Sequence, residues 1–339
     1  VSCHDEVVSQ DIQDLIEAAD MNGLLRAVDA LCSARDWDGL VDVADRCEEA
    51  VERGKQLWPI ADHVDYRLAL EAPGEYAASV LESGSSRFSL GPLTEVAAST
   101  HSWADLADHI ETPQVAAFVA QERVLRREVL DGDPRAHPDI LELPLHLEEW
   151  EPGYSLATYR SNLVEVAEPW DPKSRLVEVE MRGAAKELDE DEFVQAFLDL
   201  VTPWTNESNG AARSVVVEGD EIDAASALTL DALRIGPLRH DEAIQRIAWA
   251  AASGGAHGRR RGAAAGRSMA WYLVALLGDL RWPAPADAIR DALTNLHWFY
   301  WDEGAPEEGW VLRLAVSDPT NGWAAAIAAT DLLEDEEEL

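Results

Sequence analysis

Five arginines, Arg246, Arg259, Arg260, Arg261 and Arg267, fall within residues 243 to 278, a stretch of the chain that contains no Asp or Glu. Guanidinium forks present paired N–H donors that match carboxylate and phosphate oxygens, so cations at this density point to anion chemistry. The centre of the stretch reads Ser253-Gly254-Gly255-Ala256-His257-Gly258-Arg259-Arg260-Arg261-Gly262-Ala263-Ala264-Ala265-Gly266-Arg267. The paired glycines end one helix and the Arg-rich turn opens the next. The unsatisfied N–H groups and positive dipole end of that second helix favour a negative group. His257, Arg259, Arg260, Arg261 and Arg267 are therefore the candidate anion-binding residues. An internal role competes with this reading, because arginines also pair with a chain's own carboxylates and Gly262, Ala263, Gly266 and Ala270 allow close helix packing. Neither the Gly-x-x-x-x-Gly-Lys-Ser/Thr loop nor the Gly-x-Gly-x-x-Gly loop occurs, so an ordinary nucleotide loop is not indicated.

Tryptophan is concentrated in the same region, with seven of 13 after residue 248. Trp271, Trp298 and Trp301 are candidates for an aromatic pocket that stacks on a ligand or faces the arginines. Packing between elements is the commoner fate of such side chains. Other constellations are weaker. His101, Asp105 and His109 stand at i, i+4 and i+8, where one helix face would offer three ligands, but the His-Glu-x-x-His context of zinc enzymes is missing and no metal site is assigned. Asp62, His63 and Asp65 are a lesser version of the same pattern. Cys3, Cys32 and Cys47 contain no Cys-x-x-Cys pair, and the last two sit in amphipathic patterns where a buried reduced thiol is expected. No Gly-x-Ser-x-Gly elbow occurs, and carboxylates such as those of Glu187 to Glu192 are too numerous to single out an acid and a base. No catalytic residue and no cofactor is assigned, and the balance leans away from an enzyme.

The whole chain has 339 residues, with 65 Asp plus Glu against 27 Lys plus Arg, for a formal net charge of -38. Such an excess of acid argues against direct binding of nucleic acid or anionic membranes, which rewards a cationic face. A 47% hydrophobic content is too high for an acidic disordered chain. The longest apolar run, residues 270 to 277, is far below the roughly 20 residues that span a bilayer, so no membrane segment is expected. The first residues lack the basic and apolar regions of a signal peptide, which makes the cytoplasm the expected location. Of the bases 24 are Arg and 3 are Lys, a bias typical of a high-GC genome.

Apolar residues recur every three or four positions from about residue 8 to 130, as in Leu24, Leu25, Val28 and Leu31, which predicts short amphipathic helices joined by tight turns. Residues 131 to 182 are broken by prolines. Alternation at 140–143, 163–166 and 176–180 predicts a small extended or strand-bearing connector there. Helical spacing resumes near 189–201, 222–233, 240–253, 262–278 and 285–296. The expected architecture is mostly α, an irregular helical array or α-solenoid-like stack. It comprises an N-terminal helical block (1–130), the connector (131–182), a C-terminal helical block (183–330) and an acidic tail (331–339).

The segments 253–267, 310–319 and 322–331 resemble a family of uncharacterised actinobacterial proteins. The resemblance implies a bacterial cytosolic source and carries no mechanism. The expected function is a helical interaction or ligand-binding protein that recognises an acidic protein or a phosphate- or carboxylate-bearing ligand through the C-terminal block. An enzyme acting on such a small molecule, with His257 or His297 moving protons, and an acidic mimic of nucleic acid are the alternatives.

Overall fold

The computed structural model describes residues 3–82, 89–229, 232–305 and 308–332, with side chains described from residue 11 onward. Most of the acidic tail, residues 333–339, lies outside the described residues. The chain divides into two compact units, one of residues 1–140 with 157–165 and one of residues 141–156 with 166–339.

The first unit is built from the predicted amphipathic helices: α1 (Cys3–Ala18), α2 (Met21–Ala34), α3 (Trp37–Glu52), α4 (Trp58–Glu71), α5 (Gly74–Leu81), α6 (Leu93–Thr100), α7 (Trp103–Leu106) and α8 (Pro113–Leu125). Local chemistry fixes where they start. The Asp20 and Asp36 carboxylates each accept the N–H three residues on, from Gly23 and Gly39, and so cap α2 and α3. Pro113 opens α8, where its missing N–H costs nothing. Each helix packs mainly on near neighbours in sequence: α2 on α3, α3 on α4, α4 on α5 and α6, α6 on α8. Leu24, Val28, Leu40, Val43, Ile60, Val64 and Val96 fill the seams and are fully buried. A 3-10 turn (Pro134–Ala136), α9 (Pro138–Leu141) and a hairpin of β1 (Ala157–Arg160) and β2 (Leu163–Val166) follow. The buried Tyr159 of β1 donates to the fully buried Glu95 of α6 at 2.7 Å.

One group in this unit is placed against its own charge. Burial, and the like charges of Glu48, Asp62 and Asp45, push the Asp65 carboxyl up to about 7. Between pH 4 and 7 the folded chain keeps a proton that the unfolded chain has released. Stability contributed at this site therefore falls as pH rises through that window and is level above it. Asp65→Asn is expected to raise stability at pH 8 by about 2 kcal/mol, discounted for partial exposure, and to gain nothing at pH 4. Thermal melts of the two proteins at both pH values check this, and an equal gain at pH 4 would contradict it.

The second unit corrects the expectation of a mostly α array with a small strand-bearing connector. Its centre is a seven-stranded antiparallel sheet in the order β3 (Val177–Val179), β6 (Leu233–Leu238), β7 (His297–Asp302), β8 (Trp310–Asp318), β9 (Trp323–Asp331), β5 (Ala211–Glu218) and β4 (Lys186–Glu187). Six of these strands, all but β3, lie in the stretch whose spacing assigns a helical block. The alternation at 163–166 and 176–180 does become strand. The alternation at 140–143 does not, since α9 reaches Leu141, and the predicted helix at 222–233 ends at Ser226 before β6 begins.

One face of the sheet carries α10 (Asp191–Leu200), α11 (Thr202–Asn206), α13 (His240–Ala252), α14 (Ala263–Leu277) and α15 (Ala286–Asn295). Their apolar sides meet Val216, Trp298, Tyr300, Leu312, Leu314, Val316, Ala325 and Ile327 in one continuous core. The opposite face is covered in part by α12 (Glu221–Ser226), whose Ala224 and Ala225 lie against Val215, Val217, Trp301, Ala315, Ala324 and Ala326. No helix among the described residues is long and apolar enough to cross a membrane.

Candidate cationic loop

The hairpin of α13 and α14 frames the Arg-rich turn at residues 253–262. The two helices approach closely at Gly266, where an added Cβ would stand 2.3 Å from the Ala248 carbonyl oxygen. That approach requires the small-residue face read from the sequence. The turn itself is organised by carboxylates from distant positions. Asp331, buried at the end of β9, accepts the Ala256 N–H at 2.6 Å and the Ser208 hydroxyl at 2.9 Å, and Ser208 accepts the His257 N–H at 3.2 Å. Glu207 accepts the Arg259 N–H at 3.0 Å and faces its guanidinium at 3.5 Å. Gly255 adopts φ +72°, and a Cβ there would meet Asp331 Oδ2, so only glycine brings the chain this close. The Arg261 N–H donates to the Ala252 carbonyl and closes the turn.

The predicted residues separate into two groups. Arg267, on the first turns of α14, is fully buried. It forms a two-pronged pair with Glu151 at 2.8 and 2.6 Å and donates further to the carbonyls of Pro144 and His146. Burial pushes the Glu151 carboxyl up, but the Arg267 charge and hydrogen bonds outweigh it and hold the group below the usual carboxylate range. Tyr154 and Trp271 also donate to Glu151, at 2.7 and 2.9 Å. Arg261 is half-buried and donates to the Asp199 carbonyl at 2.8 Å, and burial lowers its proton affinity. These two arginines anchor structure. His257 and Arg259 are exposed at the rim of the turn, and Arg260 is half-buried beside them.

The three predicted aromatic residues do not converge. Trp271 is buried beside Glu151, and Trp298 lies in the same core with its indole N–H on the Leu293 carbonyl. Trp301 points to the other face of the sheet, under the Arg313 guanidinium at 4.8 Å. His297 pairs with Ser317 at one end of the sheet, while Asp331 and the cationic turn lie at the other. His257 and His297 therefore cannot act on one ligand.

The other candidates are structural as well. His101 follows the end of α6, and its ring contacts the Ala97 and Ala72 carbonyls, while Asp105 closes a capping box with Ser102 on the separate helix α7. The single helix face that would align His101, Asp105 and His109 is absent, and among the described residues no three or more His, Cys, Asp or Glu side chains are placed to hold a metal ion. Cys32 and Cys47 are buried, and burial pushes both thiols up to about 11, far from reactive thiolates. The partners that matter most, Glu151, Glu207, Ser208 and Asp331, gave no local signal.

No curated protein and no solved structure matches this chain. A family of unknown function, DUF6183, matches residues 22–332, so the relationship extends well beyond the C-terminal segments that suggested one. With 311 of its 339 residues inside that match, the chain belongs to the DUF6183 family.

Proposed function

We propose that the chain is a cytoplasmic binding protein that recognises an anionic group, on an acidic protein or a phosphate- or carboxylate-bearing ligand, at the rim formed by His257, Arg259 and Arg260. One observation carries the reading: the turn is tied from beneath by Asp331, Ser208 and the half-buried Arg261, while His257 and Arg259 face solvent. A rigid turn loses little entropy on binding. The contact between Arg259 and the part-exposed Glu207 is a surface pair worth about 0–1 kcal/mol, which a multiply charged ligand can displace.

The test is a low-salt thermal shift with citrate and inorganic phosphate on the full chain and on the double variant His257→Glu/Arg259→Glu. Stabilisation of the parent that is lost in the variant is the expected result. Equal shifts in both would reject the rim as the site.

A further inference from the structure

A second cationic arrangement lies on the opposite face of the sheet, remote from the turn in sequence. The register sets Arg213 of β5, Ala328 of β9 and Arg313 of β8 in one row across three adjacent strands. All three share a face, because side chains two apart on a strand point the same way and Val215, Ala326 and Ala315 in the next row belong to the core under α12. That helix stops short of the arginine row: Ala328 is only partly buried at its margin and Arg213 is exposed. The row beyond, Ala211, Thr330 and Val311, is likewise exposed or half-buried. The two arginine Cα atoms stand two strand spacings apart, about 10 Å. Between them the floor is a single methyl group, low enough for a ligand to rest on.

The two cations differ in a way that suits capture. Arg313 is fixed, its guanidinium over the Trp301 ring at 4.8 Å and bonded to Glu303 at 2.8 Å. The exposed Arg213 guanidinium makes no ion pair or hydrogen bond among the described residues, so it is available to close on an anion from the other side. We propose that the Arg213–Ala328–Arg313 row binds a phosphate-bearing small molecule, with the Thr330 hydroxyl next to it on β9 as an additional donor. A tetrahedral phosphate presents oxygens to both guanidinium forks at once, whereas a monocarboxylate satisfies only one.

Calorimetric titration of the full chain with pyrophosphate and inorganic phosphate at low ionic strength tests the site, with acetate as the monocarboxylate control. Arg213→Gln should weaken pyrophosphate binding by about tenfold or more, the expected consequence of losing charge-assisted hydrogen bonds. Ala328→Leu, which keeps both charges but raises the floor, should do the same, and both losses should persist in the His257→Glu/Arg259→Glu background, where the rim cannot contribute. Because Arg213 is exposed, its variant keeps the result interpretable even if Ala328→Leu perturbs the sheet. Absence of pyrophosphate binding, affinity unaltered by Arg213→Gln, or no Arg213-dependent binding left in the His257→Glu/Arg259→Glu background would each overturn the proposal. The last of these would assign the binding to the turn.

Discussion

Arg267→Ala should lower the stability of the second unit by about 3–5 kcal/mol, the loss typical of leaving one partner of a buried ion pair unpaired. Both side chains of the Arg267–Glu151 pair are wholly inaccessible to solvent. Removing the guanidinium leaves a buried carboxylate that keeps only the Tyr154 hydroxyl, the Trp271 indole and the Glu148 N–H as donors. It also strips the Pro144 and His146 carbonyls of a donor each. The pH dependence follows from the direction of the Glu151 shift. Its folded-state proton affinity is depressed, so its contribution is fully present above the unfolded value of about 4.3 and is lost as pH falls through the lower folded value. In the variant the same carboxyl titrates higher, and the gap between the two proteins should narrow as pH drops below about 5. Urea melts followed by tryptophan fluorescence at pH 7 and pH 4 check both points. A loss under about 1 kcal/mol at pH 7, or a gap that widens in acid, would contradict the account. The double variant Glu151→Leu/Arg267→Met should recover part of the loss, though the Tyr154 and Trp271 donors would then lack their acceptor.

This network also shows why sequence reading could locate the cationic stretch and not sort its members. Arg259 and Arg267 are both arginines in an acid-free run, and only the tertiary position of Glu151, 116 residues before Arg267, makes one a core residue. The same limit applied to the fold. Helices α2, α3 and α15 are legible because their apolar residues follow the 3.6-residue period and one side of each meets solvent. The strand β9 reads Trp-Ala-Ala-Ala-Ile-Ala-Ala-Thr-Asp, a composition with high intrinsic helix propensity. It is strand because it lies between β8 and β5 with both faces covered from Ala324 to Ile327, so neither the alternation nor the propensity that marks an exposed strand is available there. Alanine is also what that position requires, since α12 rests its own Ala224 and Ala225 on Ala324 and Ala326. The Val215-Val216-Val217 run of β5 carries a β-branched signal, set between segments of helical spacing.

Gly266→Val is the second change expected to cost most, about 3 kcal/mol, because it acts on backbone that cannot move aside. The valine Cβ would stand 2.3 Å from the Ala248 carbonyl oxygen and 2.9 Å from the Ala252 Cβ. The only relief is to separate α13 from α14, whose contact surface includes the fully buried Ala250, Ala251, Ala270 and Val274. The effect should reach the candidate rim, because the turn at 253–262 is the link between these two helices and is tied at its far side to Asp331 and Glu207. Opening the hairpin stretches those ties. The prediction is therefore double: a lowered melting temperature, and accelerated hydrogen exchange at the Ala256, His257 and Arg259 amides, whose acceptors lie on other segments. Gly183→Val serves as the control, since an added Cβ there meets nothing within 4 Å and the residue lies outside the left-handed region. It should cost far less and leave the turn amides protected. If both variants lose the same stability, the close approach of the two helices is not what Gly266 provides.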